Sequence, residues 1–138
     1  MRFELVDLVV QPPSIYIPLV TGLLQKKEIL ICAQNHSYYG TGAYTGEVST
    51  SPFKDLGIKW SMVGHSERRS YFAESIDVID TLIDLFQIVA NKTKMAVEQG
   101  LNVILCLGEN FMERKDELTF SVCQATLNAV KSKDINES

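Results

Sequence analysis

Four short runs of the chain are apolar on successive residues rather than on alternate ones: Leu5 to Val10, Ile29 to Ala33, Trp60 to Val63 and Val103 to Leu107. Alternation marks a strand with one wet face. Unbroken apolar runs of this length mark strands buried on both faces, as in parallel sheets. Stretches with helical period separate them. Ser14 is expected to cap a helix reaching about Lys26, with Pro18 in its first turn, where a missing N–H costs little. Ser51 as cap and Pro52 as first residue open a helix of one or two turns that Gly57 ends. Ala90 to Gln99 reads as helix closed by Gly100. Glu113 to Val130 reads as one helix, with Leu118, Val122, Ala125, Leu127 and Ala129 as its apolar stripe.

Strand and helix thus alternate four times, which predicts βαβ units with right-handed crossovers, an α/β fold on a parallel sheet. Strand starts are spaced by roughly 24, 30 and 43 residues, against about 30 for one βα unit. The third unit carries a surplus of about a dozen residues, assigned to Ile76–Ile88. There Asp77, Asp80 and Asp84 fall on one side of a helix and Ile79, Leu82, Ile83 and Phe86 on the other. This predicts an amphipathic insertion near 76–88 that runs on into Ala90 to Gln99. Residues 1–138 otherwise fit a single domain.

Composition adds exclusions. At 46% hydrophobic and 22% charged the chain is of ordinary globular make-up. A net charge of −4 gives no support for a nucleic-acid or membrane-surface partner, and no apolar run reaches the ~18 residues that span a bilayer. Met1 to Pro13 carries Glu4 and Asp7 and lacks the basic start of a signal peptide, so a cytoplasmic location is expected. Three cysteines, none in a Cys-x-x-Cys pair, indicate neither a disulfide framework nor zinc. Cys32 and Cys106 read as packing residues.

Chemistry collects where strands end. In parallel α/β folds ligands meet the C-terminal ends of the strands, and three successive runs here end in polar groups: Gln34-Asn35, Gly64-His65-Ser66-Glu67 and Gly108-Glu109. The first run ends in Gln11-Pro12-Pro13, a sharp turn with little chemistry. His65 sits at a strand end and a helix start, where N–H groups and the helix dipole disfavour an imidazolium. A neutral, hydrogen-bond-donating imidazole there is suited to polarising a carbonyl. Glu67, in the first turn beside Arg68 and Arg69, is read as an orienting or ion-pairing carboxylate rather than a base. Glu109 is read as a hydrogen-bonding partner of a neighbouring loop, and His36 as a solvated loop residue. The glycines at 40, 42 and 46 do not make Gly-x-Gly-x-x-Gly, nor is there a Gly-Lys-Ser/Thr ending. That stretch reads as a protruding loop with Tyr44 and Thr45 at its tip, suited to a protein contact.

Ala33-Gln34-Asn35, Gly42-Ala43-Tyr44-Thr45-Gly46-Glu47-Val48-Ser49, Lys54-Asp55-Leu56-Gly57 with Trp60, Gly64-His65-Ser66-Glu67-Arg68-Arg69, and Cys106-Leu107-Gly108-Glu109 followed by Glu113-Arg114 together resemble the triosephosphate isomerase family. The likeness covers nearly the whole chain outside 76–88, although Ala73 stands where the family has glycine. It implies a partial (β/α)8 barrel, resembling strands two to five with their helices. The implied activity is interconversion of dihydroxyacetone phosphate and D-glyceraldehyde 3-phosphate through an enediolate, in glycolysis and gluconeogenesis, with no metal or cofactor. By this resemblance His65 is the catalytic electrophile, Ser66, Glu67, Cys106 and Glu109 support it, and Asn35, Thr45, Glu47 and Arg68 contact the second subunit of a homodimer. The family's asparagine and catalytic lysine, glutamate base and phosphate-gripping strands match nothing in 1–138, so this chain alone is expected to be inactive. The alternative reading is a non-catalytic remnant or splice product keeping only the subunit-contact loop.

Overall fold

A computed structural model describes residues 6–24, 27–72, 74 and 86–133. Its sheet has four strands: β1 Leu8–Val10, β2 Ile29–Ala33, β3 Trp60–Val63 and β4 Asn102–Leu105. Their spatial order is their chain order, β1-β2-β3-β4, and every pair is parallel, with Leu8 beside Ile29, Cys32 beside Trp60 and Trp60 beside Asn102. A doubly wound sheet reverses its strand order at a switch point; a barrel never does. The sheet is therefore the α/β arc of a (β/α) barrel that the apolar runs and the motifs predict.

Helices α1 Ile17–Leu24, α2 Thr50–Asp55, α3 Ser66–Tyr71, α4 Phe86–Glu98, α5 Phe111–Lys115 and α6 Thr119–Lys131 fill the crossovers. Ile17, Ala33, Phe53 and Ile58 form a buried cluster with Ile31 against it, which seats α1 and α2 on β2. Val89, Ala90 and Ala96 bury one face of α4, which packs on β3, β4 and α6. Among the described residues no helix is long and apolar enough to cross a membrane.

Several element ends differ from expectation. Ser14 does not cap a helix: Ser14–Tyr16 is a 3-10 turn and α1 starts at Ile17, with Pro18 inside its first turn as expected. The N-cap of α2 is Ser49 rather than Ser51, and Pro52 is its third residue, still among the positions whose N–H lacks an intrahelical partner. Gly57 ends that helix in the left-handed region at φ 74°, and Gly100 does the same for α4 at φ 77°. The expected single helix over Glu113 to Val130 is two. Asn110 and Glu113 form a reciprocal capping box that starts α5, and Glu117, at φ 59°, turns the chain before α6. That turn puts Leu118 outside the helix, and Leu118 and Leu127 are exposed; Val122, Ala125 and Ala129 remain at least half-buried, joined by buried Thr126. β1 and β4 are only half-buried, because each has a neighbouring strand on one side alone. Ala73 and residues 76–85 lie outside the described residues; 86–88 form the start of α4.

Candidate active site

β3 delivers His65 to the rim. Its last strand residue is Val63, Gly64 takes φ 76°, and α3 begins at Ser66. Gly64 can hold that conformation because it lacks a side chain; an added Cβ would also stand 3.1 Å from the Cys106 carbonyl oxygen. His65 is the N-cap of α3, and its Nδ1 accepts the Glu67 main-chain N–H at 3.4 Å. With Nδ1 accepting this N–H, the tautomer that fits the bond carries its proton on Nε2. This is a tautomer assignment made from the ring's partners. The half-exposed imidazole therefore offers one N–H donor at the C-terminal face of the sheet. Ser66 and Glu67 are exposed beside it, and the Glu67 carboxylate lies 3.6 Å from Nδ1. Glu67 does not pair with Arg68 or Arg69 as expected, because both guanidinium groups have other acceptors.

Arg68 donates through Nε and Nη2 to Glu74 Oε1, at 3.0 and 2.6 Å, and lies 4.0 Å over the Phe72 ring. Lys92, from α4, donates to the same Glu74 oxygen at 2.9 Å and to Asn35 Oδ1 at 2.6 Å. Lys92 is 1% exposed and Glu74 6%. Burial raises the Glu74 carboxyl, but the bonds from Arg68 and Lys92 outweigh it and hold the acid below its usual range. Burial likewise pulls Lys92 down, against the opposing pull of Glu74. A buried charge survives only when paired in this way. The cluster ties the end of β2 to α3 and α4, behind the His65 rim.

His36 is not solvated. It is 1% exposed, with Nδ1 2.8 Å from the Ser61 hydroxyl and Nε2 donating to the Lys92 carbonyl at 3.0 Å. Burial, with the nearby Lys92 charge, lowers its pKa to about 4. The unfolded chain then binds a proton that the fold rejects between pH 6.5 and about 4, so stability falls as pH falls through that window. From pH 6.5 to 5 the expected loss is about 2 kcal/mol. Urea unfolding of the 138-residue chain at these pH values checks it. His36→Asn should flatten that part of the profile, and an equally steep profile in the variant would contradict the assignment.

Other expected site residues take definite places. Cys106 bonds its N–H to the Val63 carbonyl at 2.9 Å, and its partly buried thiol is pushed up by burial against the opposing charge of Arg69. Cys32 is buried and raised to about 11, as a packing thiol. Glu109, just before α5, lies 3.5 Å from Arg114 in that helix's last turn. Asn35, Glu47 and Arg68 line one cleft, with Gln34 and His36. Thr45 is exposed on the loop, which is stiffened by Tyr39 stacked on Tyr44 at 4.4 Å and Tyr38 edge-on to Tyr39. Sequence reasoning missed Glu74, Lys92, Ser61 and Arg69. Lys92 had a readable signal: it stands three residues after Val89 and four before Ala96, on the buried face of α4.

A parallel sheet in unbroken sequential order, with a histidine at one strand's C-terminal end, defines a segment of the (β/α)-barrel class. The triosephosphate isomerase family model matches residues 2–137, so the chain belongs to the triosephosphate isomerase family. It is 46% identical over 125 residues to the triosephosphate isomerase of Debaryomyces hansenii, covering 91% of this chain and 46% of that protein. It is 43% identical over 127 residues to that of Saccharomyces cerevisiae, covering 92% and 47%. The bacterial protein of that name from Thermodesulfovibrio yellowstonii is 37% identical over 118 residues, covering 86% and 44%. The chain spans about half the length of these relatives.

Proposed function

We propose that these residues supply the electrophilic side of an aldose–ketose isomerase site acting on triose phosphates. The observation that carries this is His65 at a strand end, its Nδ1 accepting the Glu67 N–H, which leaves Nε2 as the nitrogen free to donate. A carbonyl oxygen placed at Nε2 gains negative charge as a proton leaves the adjacent carbon. A preorganised donor stabilises that developing enediolate more than the ground-state carbonyl, and so lowers the barrier. A neutral donor also avoids protonating the oxygen outright. The base that removes the carbon-bound proton is not among these residues, so the chemistry requires a complete barrel. Ser66 and Glu67, with Cys106 and Glu109 on the next strand's exit, hold the rim around the histidine. The reading places the protein in the cytosol as a homodimer, with the loop bearing Thr45 and Glu47, and Asn35 and Arg68 at its base, facing the second subunit.

The test is a graft in which residues 1–138 replace the matching stretch of the Saccharomyces cerevisiae relative. A folded graft is expected to interconvert dihydroxyacetone phosphate and glyceraldehyde 3-phosphate, while 1–138 alone gives no turnover above background. A graft that folds and dimerises yet is inert would overturn the reading and favour a non-catalytic remnant.

A further inference from the structure

We infer that Arg69 is a positioning residue for His65, an inference that rests on the electrophile reading above. Among the described residues its guanidinium meets no carboxylate. It donates instead to three main-chain carbonyls: Nη1 to Gly64 at 2.6 Å and to Cys106 at 3.3 Å, and Nη2 to Gly108 at 3.0 Å. These oxygens lie just past the ends of β3 and β4, where the ladder has stopped. The main-chain N–H of the same residue donates to the His65 carbonyl at 3.1 Å. The carbonyls on both sides of the His65 Cα are thus held by one residue.

That arrangement fixes the imidazole through the backbone. The Gly64 C=O and the His65 N–H belong to one peptide plane, so holding the oxygen sets that plane's rotation and with it the His65 φ of −55°. The bond to the His65 carbonyl sets ψ at 145°. Gly64 at φ 76° and Gly108 at φ 152° have no side chain of their own to limit rotation of these peptide planes. A planar guanidinium spans several acceptors at fixed angles; a lysine ammonium could not reproduce the same fork. Hydrogen bonds to a charged donor are about twice as strong as neutral ones. A catalytic donor must be held to within about 0.5 Å, and a 1 Å error can cost about a hundredfold in rate.

The experiment is a double-mutant cycle in the graft. Arg69→Met is expected to lower kcat at least about tenfold with KM changed less than about threefold. Arg69→Lys should recover part of the loss. On a His65→Gln background the same Arg69→Met change should cost little, because there is no longer an imidazole to place. Equal losses in both backgrounds, or an unchanged kcat, would overturn the inference. If Arg69→Met fails to fold, the Arg69→Lys cycle decides on the same criterion. A His65→Gln graft with undiminished kcat would instead identify the electrophile reading as the failure.

Discussion

His65→Gln in the grafted barrel is expected to lower kcat by about 10²–10⁴, the range typical of losing a positioned proton-handling group, with KM nearly unchanged. Glutamine is the informative replacement because it stays neutral and polar, so α3 keeps a hydrogen-bonding residue at its start. Its amide N–H is a weaker acid than an imidazole N–H and cannot occupy Nε2's position while another atom accepts the Glu67 N–H. The interaction removed is made chiefly as charge develops on the substrate oxygen. Loss should therefore appear equally in kcat and in kcat/KM. A rise in KM with kcat intact would mean that His65 binds substrate without stabilising the transition state.

Glu74→Gln is expected to destabilise the 138-residue chain by about 3–5 kcal/mol, the cost of leaving a buried charge without its partner. Lys92 is 1% exposed, so water cannot replace the lost carboxylate. Asn35 would be left as its acceptor, a carboxamide facing an ammonium. Lys92→Met should cost less, because Arg68 still neutralises Glu74. The double variant should cost clearly less than the two losses added together, since neither orphan then remains. Urea midpoints at constant slope measure all three. Strict additivity would show that Glu74 and Lys92 do not act as one unit.

The parts of this molecule legible in its sequence are those governed by local order. Runs such as Ile29 to Ala33 announce buried parallel strands, and their strict alternation with helices leaves few topologies open. His65 was legible because a glycine, a histidine and a helix start follow an apolar run directly. Less legible were features decided by tertiary packing. The break between α5 and α6 depends on Glu117 adopting a left-handed backbone, which no glycine announces. His36 looked like a loop residue among Ser37, Tyr38 and Tyr39, yet the loop folds back and buries it against Ser61 and the Lys92 carbonyl. Glu74, past the end of α3, meets Lys92 of α4 across 18 positions of sequence, a pairing that no local pattern announces. In the sequence Arg69 is only a charge beside Glu67, and the positions of three carbonyls are what distinguish it.

The most direct test of the central claim observes the substrate rather than the rate. If Nε2–H of His65 polarises the carbonyl, infrared difference spectra of dihydroxyacetone phosphate bound to the graft should show its C=O stretch at lower frequency than in water. In His65→Gln that displacement should shrink or vanish. A carbonyl frequency unchanged on binding, or displaced equally in both proteins, would contradict the assignment of His65 as the electrophile.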